Sequence, residues 1–410
     1  MTYDVLICDD YKDREDQWVA AVASVAPKDT YRVSGRPAGS SGGVQRGNPA
    51  AGEAARELLA RRAAARGTGS RTRSKEECLF DGLDVLVLDY DLIHIDENAT
   101  RHTGEGLARL ARTFSTCGVV VVLNQFRDVQ FDLALRGHQW SYADLNLQAD
   151  VLGSEGLWRG PPWHGFRPWA WQTLSGAVET QKQRSKWVAE RLDQPIVDAL
   201  GFHEEDVARL SDSAFECVWP TARNFADLHK VSFRSYLETV AGDRDAVAAA
   251  ESDGELAAPF VGARIGKWLE REVLAAQDAL VDVPHLIERF PFLLGDDLGE
   301  LDAWNAAIHG WEEIRKRTPE ESWFEPAEML TRPAVWRQRL EADDDFARAS
   351  YEFDYSNVPE FVFLEDISQF GFLKEAKEFR AGHHNAFDAR FVSKLADISY
   401  GPQRRFALGE

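Results

Sequence analysis

Two apolar runs of the chain end in acids. Leu6-Ile7-Cys8 runs into Asp9-Asp10, and Asp84-Val85-Leu86-Val87-Leu88 runs into Asp89, with Tyr90-Asp91 following. Three carboxylates gathered in a partly dehydrated cleft repel one another. A bound cation or raised pKa values relieve that repulsion. Oxygen-only donors suit Mg²⁺, which takes one or two carboxylates plus waters. An Asp held in line beside such an ion is also a phosphoryl acceptor.

The elements around these acids alternate. Residues 3–8 read as a buried strand, 13–25 as a helix and 30–35 as a second strand. Residues 36–50 are Gly/Ser/Pro-rich and loop-like, 51–66 are an Ala/Arg-rich helix, and 67–76 are a basic loop. A strand follows at 84–88, an amphipathic helix at 104–114, a strand at 118–123 ending at Asn124, and a fifth strand at 143–148. Such alternation predicts a parallel α/β sheet with right-handed crossovers. Ligands of such sheets bind outside the carboxyl ends of the strands, where the acids fall. Residues 151–171 are a Trp/Pro/Gly-rich connector, expected to be an ordered strap between domains. Beyond it, 172–410 reads as a mainly helical domain, with apolar periodicity at 185–200, 225–240, 258–280 and 302–317 and one strand at 360–364.

The whole composition sets bounds. With 410 residues, 44% hydrophobic and 28% charged, the chain is globular and long enough for two or three domains. Its net charge of −21 repels phosphate backbones, so nucleic acid is left only a local patch at 61–75 (Arg61, Arg62, Arg66, Arg71, Arg73, Lys75). That patch equally suits an acidic partner face or a solvated loop. Cys8, Cys78, Cys117 and Cys217 form no CxxC pair and suit a reduced protein. The first residues lack a basic n-region and a long apolar core, and no run reaches the roughly 18–20 residues of a membrane span. A cytoplasmic protein is expected. No GxxxxGK[ST], GxGxxG, GxSxG or zinc-ligand spacing occurs.

The acid pair after the first strand, Asp89 after its strand, and the run Val119–Leu123 together resemble the receiver domain of bacterial response regulators. The resemblance covers about residues 1–150 and implies a doubly wound parallel sheet. It implies that Asp9 and Asp10 are the metal-binding acids and Asp89 the phospho-acceptor, with Mg²⁺ as cofactor and a carbonyl of Tyr90 or Asp91 on the metal. It further implies a histidine kinase or an output protein as partner. The chain departs from the family in three ways. Asn124 stands where a receiver has Ser or Thr. Gln148 is the best match to its Lys, and no Lys occurs between Lys75 and Lys182. An insertion at about 36–76 lengthens the second crossover. The expectation is an atypical, or pseudo-, receiver that docks on or switches the helical domain.

The strand ending in Asp89-Tyr90-Asp91 also resembles the haloacid-dehalogenase-like phosphohydrolases. That likeness implies Asp89 as nucleophile and Asp91 as general acid/base beside Mg²⁺. The family's Thr or Ser, Lys and later acidic pair are not matched here. The two readings differ in one prediction: the hydrolase needs Asp91 inside the acid cluster, the receiver needs it outside. An enzyme in the C-terminal domain is a third possibility.

Weaker features complete the reading. Trp158, Trp163, Trp169 and Trp171, with His164 and Arg167, offer either a stacking pocket or packing anchors. His383-His384-Asn385 offers imidazoles or a surface loop. Glu365-Asp366, with Lys374 and Lys377 on an expected helix, has some nuclease-like groups. Glu341–Asp345 reads as a solvated helix end.

Overall fold

β-branched apolar runs favour extended backbone, and they build the first sheet. The structure, a computed structural model, describes residues 2–35, 47–67, 78–95, 102–124, 141–160, 172–240, 243–252, 254–379 and 389–393. Five strands run parallel: β1 (Tyr3–Cys8), β2 (Tyr31–Ser34), β3 (Val85–Asp89), β4 (Val119–Asn124) and β5 (Leu145–Gln148). Their order is β2-β1-β3-β4-β5. All of β3 is buried, as a continuous apolar run requires in a sheet covered on both faces.

The two-residue period of the strands sorts their side chains into two layers. Val5, Ile7, Val85, Val87, Val121 and Leu147 pack with α1 (Lys12–Val25) and α4 (Leu174–Ala189). Leu6, Cys8, Leu86, Leu88, Val120 and Val122 pack with α2 (Pro49–Ala65) and α3 (Gly104–Phe114). Asn48 caps α2 and Thr103 caps α3, each accepting a backbone N–H of the first turn.

Helix α4 follows the expected connector, yet it completes the first sheet's core. Tyr31 Oη donates to Ser175 Oγ at 3.0 Å. The same helix packs on α6 (Ala257–Trp268), where Arg184 lies against Gly266 and pairs with buried Glu270 at 3.0 Å. A Cβ on Gly266 would fall 2.2 Å from the Arg184 guanidinium carbon, so the close approach requires glycine. Sheet and helical part are thus joined along α4.

The helical part surrounds an aromatic core containing Trp187, Trp219, Trp268, Trp304 and Trp336. Several expected helices are interrupted. The 185–200 periodicity breaks before Pro195, which has no N–H to donate and restarts as Ile196–Ala199. The 302–317 stretch breaks at Gly310. The end of the chain holds more strand than the single one expected. β6 (Leu280–Asp282) pairs with β7 (Ala334–Trp336). Then β8 (Phe361–Leu364), β9 (Gln369–Phe372), β10 (Ala376–Phe379) and β11 (Arg390–Ser393) form a sheet of order β9-β8-β11-β10. The helix expected at Lys374–Lys377 is instead a single turn leading into β10. Pairing with β11 outweighs the local helix preference of Lys-Glu-Ala-Lys. Among the described residues no helix is long and apolar enough to cross a membrane.

Two junctions of buried charge tie the parts together. In the first, Arg62 of α2 and Arg66 at its C-cap reach Asp245 at 2.9 and 2.5 Å, and Arg109 of α3 reaches Asp243 at 2.9 Å. Both acids lie at the start of α5 (Arg244–Ser252). Arg61 holds Asp81 at 2.7 Å. The described arginines of the expected basic patch therefore face the chain's own acids; Arg71, Arg73 and Lys75 lie outside the described residues. Lys267 of α6 donates to the carbonyls of Ser141 and Ala143 at 3.2 and 2.8 Å, just before β5.

In the second junction, Asp282 caps α7 (Val283–Arg289) and holds His285 Nδ1 at 2.7 Å and Arg332 at 2.8 Å. His285 Nε2 lies 3.5 Å from Glu365, which also pairs with Arg390. Asp366 accepts the Ser393 N–H at 2.7 Å. Glu365 and Asp366 are thus both engaged in fold contacts. Glu288 accepts the Phe363 N–H at 3.2 Å, and burial pushes its carboxyl up to about 7. A folded value raised above the unfolded one means the contribution to stability is present at low pH and lost as pH rises through about 7. Relative to wild type, Glu288→Gln is therefore expected to gain stability between about pH 5 and about pH 8 in chemical denaturation. A flat or falling difference contradicts this.

Candidate functional site

In the order β2-β1-β3-β4-β5 the connections leave β1 in opposite directions, which opens a crevice between the carboxyl ends of β1 and β3. Asp9 and Asp10 follow β1, and Asp89 ends β3. All three are 0% exposed. One oxygen from each lies within 4.8 Å of the others.

A fourth residue joins them. Arg14, in the first turn of α1, places Nη2 2.9 Å from Asp9 Oδ1, 2.9 Å from Asp10 Oδ1 and 3.4 Å from Asp89 Oδ2. Its guanidinium lies over the Tyr11 ring, 4.5 Å from the centroid. Arg14 lies outside the pattern of strand-end acids. The signal was its spacing: it stands four residues after Asp10, one helical turn on.

The surroundings hold the acids in place. The Tyr11 N–H donates to Asp9 Oδ1 at 2.7 Å, and the His94 N–H donates to Asp10 Oδ2 at 3.2 Å. Buried Glu15 accepts from the Asp9 N–H at 3.3 Å and from Asn48 Nδ2 at 2.8 Å. The Gly47 N–H reaches the Asp10 carbonyl at 2.7 Å, so the expected insertion itself returns the chain to the site before α2. Gly104 opens α3 against β3: its N–H donates to the Tyr90 carbonyl at 2.8 Å, and a Cβ there would fall 2.3 Å from the Asp89 carbonyl oxygen.

The charges respond to this crowding. Burial chiefly, with help from Asp89 and Asp10, pushes Asp9 up to about 7 against the Tyr11 N–H and Arg14. Burial alone would lower Arg14, but the charges of Asp9, Asp89 and Asp10 hold it above its ordinary value.

The other expected residues lie as follows. Asp91 is exposed, and its Oδ1 accepts from the Ile93 N–H at 3.4 Å in its own loop. Asn124 and Gln148 end β4 and β5 opposite one another in register, and Gln148 is half-buried. Trp158 is buried, donates to the Leu152 carbonyl at 2.8 Å and meets Tyr31 edge-on, which is a packing role. Trp163, His164, Arg167, Trp169, Trp171 and His383-His384-Asn385 lie outside the described residues. Glu341 pairs with Arg337 at 2.6 Å, and Asp345 pairs with Arg348 on an exposed helix.

Chemically, the crevice offers oxygen donors alone, the kind Mg²⁺ takes, and Arg14 contacts one oxygen of each acid. The raised value of Asp9 has a sign. Its proton is held more tightly folded than unfolded, so its contribution to stability is present at low pH and lost as pH rises through about 7. In difference infrared spectra against Asp9→Asn, the protonated carboxyl band is expected to persist to about pH 6 and vanish above about pH 8. Ionisation near the ordinary carboxylate value would contradict this. Comparison with family models, curated proteins and solved structures finds no match to this chain.

Proposed function

We propose that the sheet with its flanking helices is an atypical receiver-like module of a bacterial, cytoplasmic signalling protein, and that the helical part of the chain is its output. One observation carries the reading. Asp9, Asp10 and Asp89 converge, buried, at the crevice of a parallel sheet of order β2-β1-β3-β4-β5 with helices on both faces. In this reading Asp9, Asp10 and Asp89 would hold Mg²⁺, and Asp89 would be the phosphoryl acceptor from a histidine kinase. When bound, Mg²⁺ would neutralise charge on the incoming phosphoryl group. The chain's own residues do the rest. Arg14 offsets the acids, the His94 N–H orients Asp10, and Gly104 lets α3 close on the end of β3.

Asn124 and Gln148 make the module atypical, since neither supplies the hydroxyl or the Lys that bonds an acyl phosphate in the family. The path to the output runs through the first junction. There α2, α3 and the segment before β5 meet Asp243, Asp245 and Lys267. Tyr142 also bonds Asp243. The phosphohydrolase reading needs Asp91 among the acids; its exposure and its local bond favour the signalling reading.

The test is a titration of the full chain with Mg²⁺, with and without beryllium fluoride, followed by thermal stability and hydrogen exchange. The two ligands together are expected to raise the melting temperature and slow exchange around Tyr142 and Asp243, with both effects lost in Asp89→Asn. Folded protein that ignores both ligands would remove the switching role. Phosphate-ester hydrolysis lost in Asp91→Asn would replace it with the hydrolase.

A further inference from the structure

We propose that Arg14 is the resident cation of the acid crevice and competes with a divalent ion for the oxygens of Asp9, Asp10 and Asp89. Loading the crevice would then require the guanidinium to leave. The inference rests on the reading of the three acids as a cation site.

The geometry puts one nitrogen in contact with all three acids, at 2.9, 2.9 and 3.4 Å. This is the place a shared ion would take. A guanidinium keeps its charge at any physiological pH and carries five donors on a planar fork, so it can bridge several carboxylates at once. An ion arriving beside it would meet a positive charge at close range, and in a shielded crevice that repulsion is worth far more than in water.

The crevice also provides a way out. Asp9, Asp10 and Asp89 are fully buried, but the Arg14 side chain is 30% exposed. It lies over Tyr11, whose ring meets the His94 ring edge-on at 6.4 Å. The His94 N–H in turn holds Asp10. Withdrawal of Arg14 would therefore disturb Tyr11 and His94, which sit at the rim beside exposed Ile93. Exchange of one cation for the other thus changes the surface a partner would read.

The experiment is calorimetric titration of Mg²⁺ and of Mn²⁺ into the full-length wild type, Arg14→Met and Arg14→Met/Asp10→Asn, with circular dichroism to confirm folding. Arg14→Met is expected to bind one ion per chain at least about tenfold more tightly than wild type, and the added Asp10→Asn to abolish that gain. Folded Arg14→Met that binds no more tightly than a metal-binding wild type overturns the competition and leaves the cation site standing. No binding by any folded protein overturns both. Should Arg14→Met fail to fold, the wild type decides through the Arg14 ¹⁵Nε–H signal, assigned with Arg14→Lys. Saturating Mg²⁺ is expected to shift it to the position of a solvent-exposed arginine. A signal unmoved by bound Mg²⁺ overturns the inference.

Discussion

Three carboxylates buried at the ends of two neighbouring strands cannot all stay charged without a cation beside them. Arg14 supplies that cation from the first turn of α1, and the local structure follows from this need. The turn at Tyr11 must bring α1 back over the strand ends. The chain must return at Gly47 and Asn48 to close the opposite side. Gly104 must lack a side chain so that α3 can begin against the Asp89 carbonyl. Burial, aided by the charges of Asp89 and Asp10, still holds the proton of Asp9 to about 7. The charge of the site therefore depends on pH, because Asp9 gains or loses its proton at about 7.

The sheet that carries this site is not isolated. The helices and loops flanking the sheet are tied to the rest of the chain by buried or half-buried charge. Arg62, Arg66 and Arg109 meet Asp243 and Asp245, Lys267 bonds the segment before β5, and α4 belongs to both cores. Truncating one partner of such a pair leaves the other charge uncompensated, which makes these contacts costly to lose.

The sheet and its acids were legible in the sequence because buried parallel strands read as unbroken apolar runs. Val85–Leu88 and Val119–Leu123 cannot be mistaken, and an Asp directly after such a run has few places to be. Arg14 was harder to see. It looked like one more polar residue of a surface helix, and only the fold brings that helix turn over the crevice. Arg62 and Arg66 were visible, but their acidic partner Asp245 lies far along the chain, and no local pattern links them. The C-terminal sheet was mostly hidden. Its strands are four residues each, and Lys374–Lys377 prefers a helix until β11 arrives to pair with β10. Pro195 and Gly310 interrupt helices in ways the apolar periodicity alone did not register.

Arg14 and the three acids thus form one electrostatic unit. A double-mutant cycle of folding free energy at about pH 8.5, where Asp9 is ionised, and without divalent ions tests this with wild type, Arg14→Met, Asp9→Asn and the combination. Arg14→Met alone is expected to cost about 3 kcal/mol, because it leaves buried carboxylates uncompensated. Adding Asp9→Asn is expected to recover at least about half of that loss, a coupling well above the few tenths of a kcal/mol seen for independent sites. Costs that simply add would show that Arg14 and Asp9 act independently.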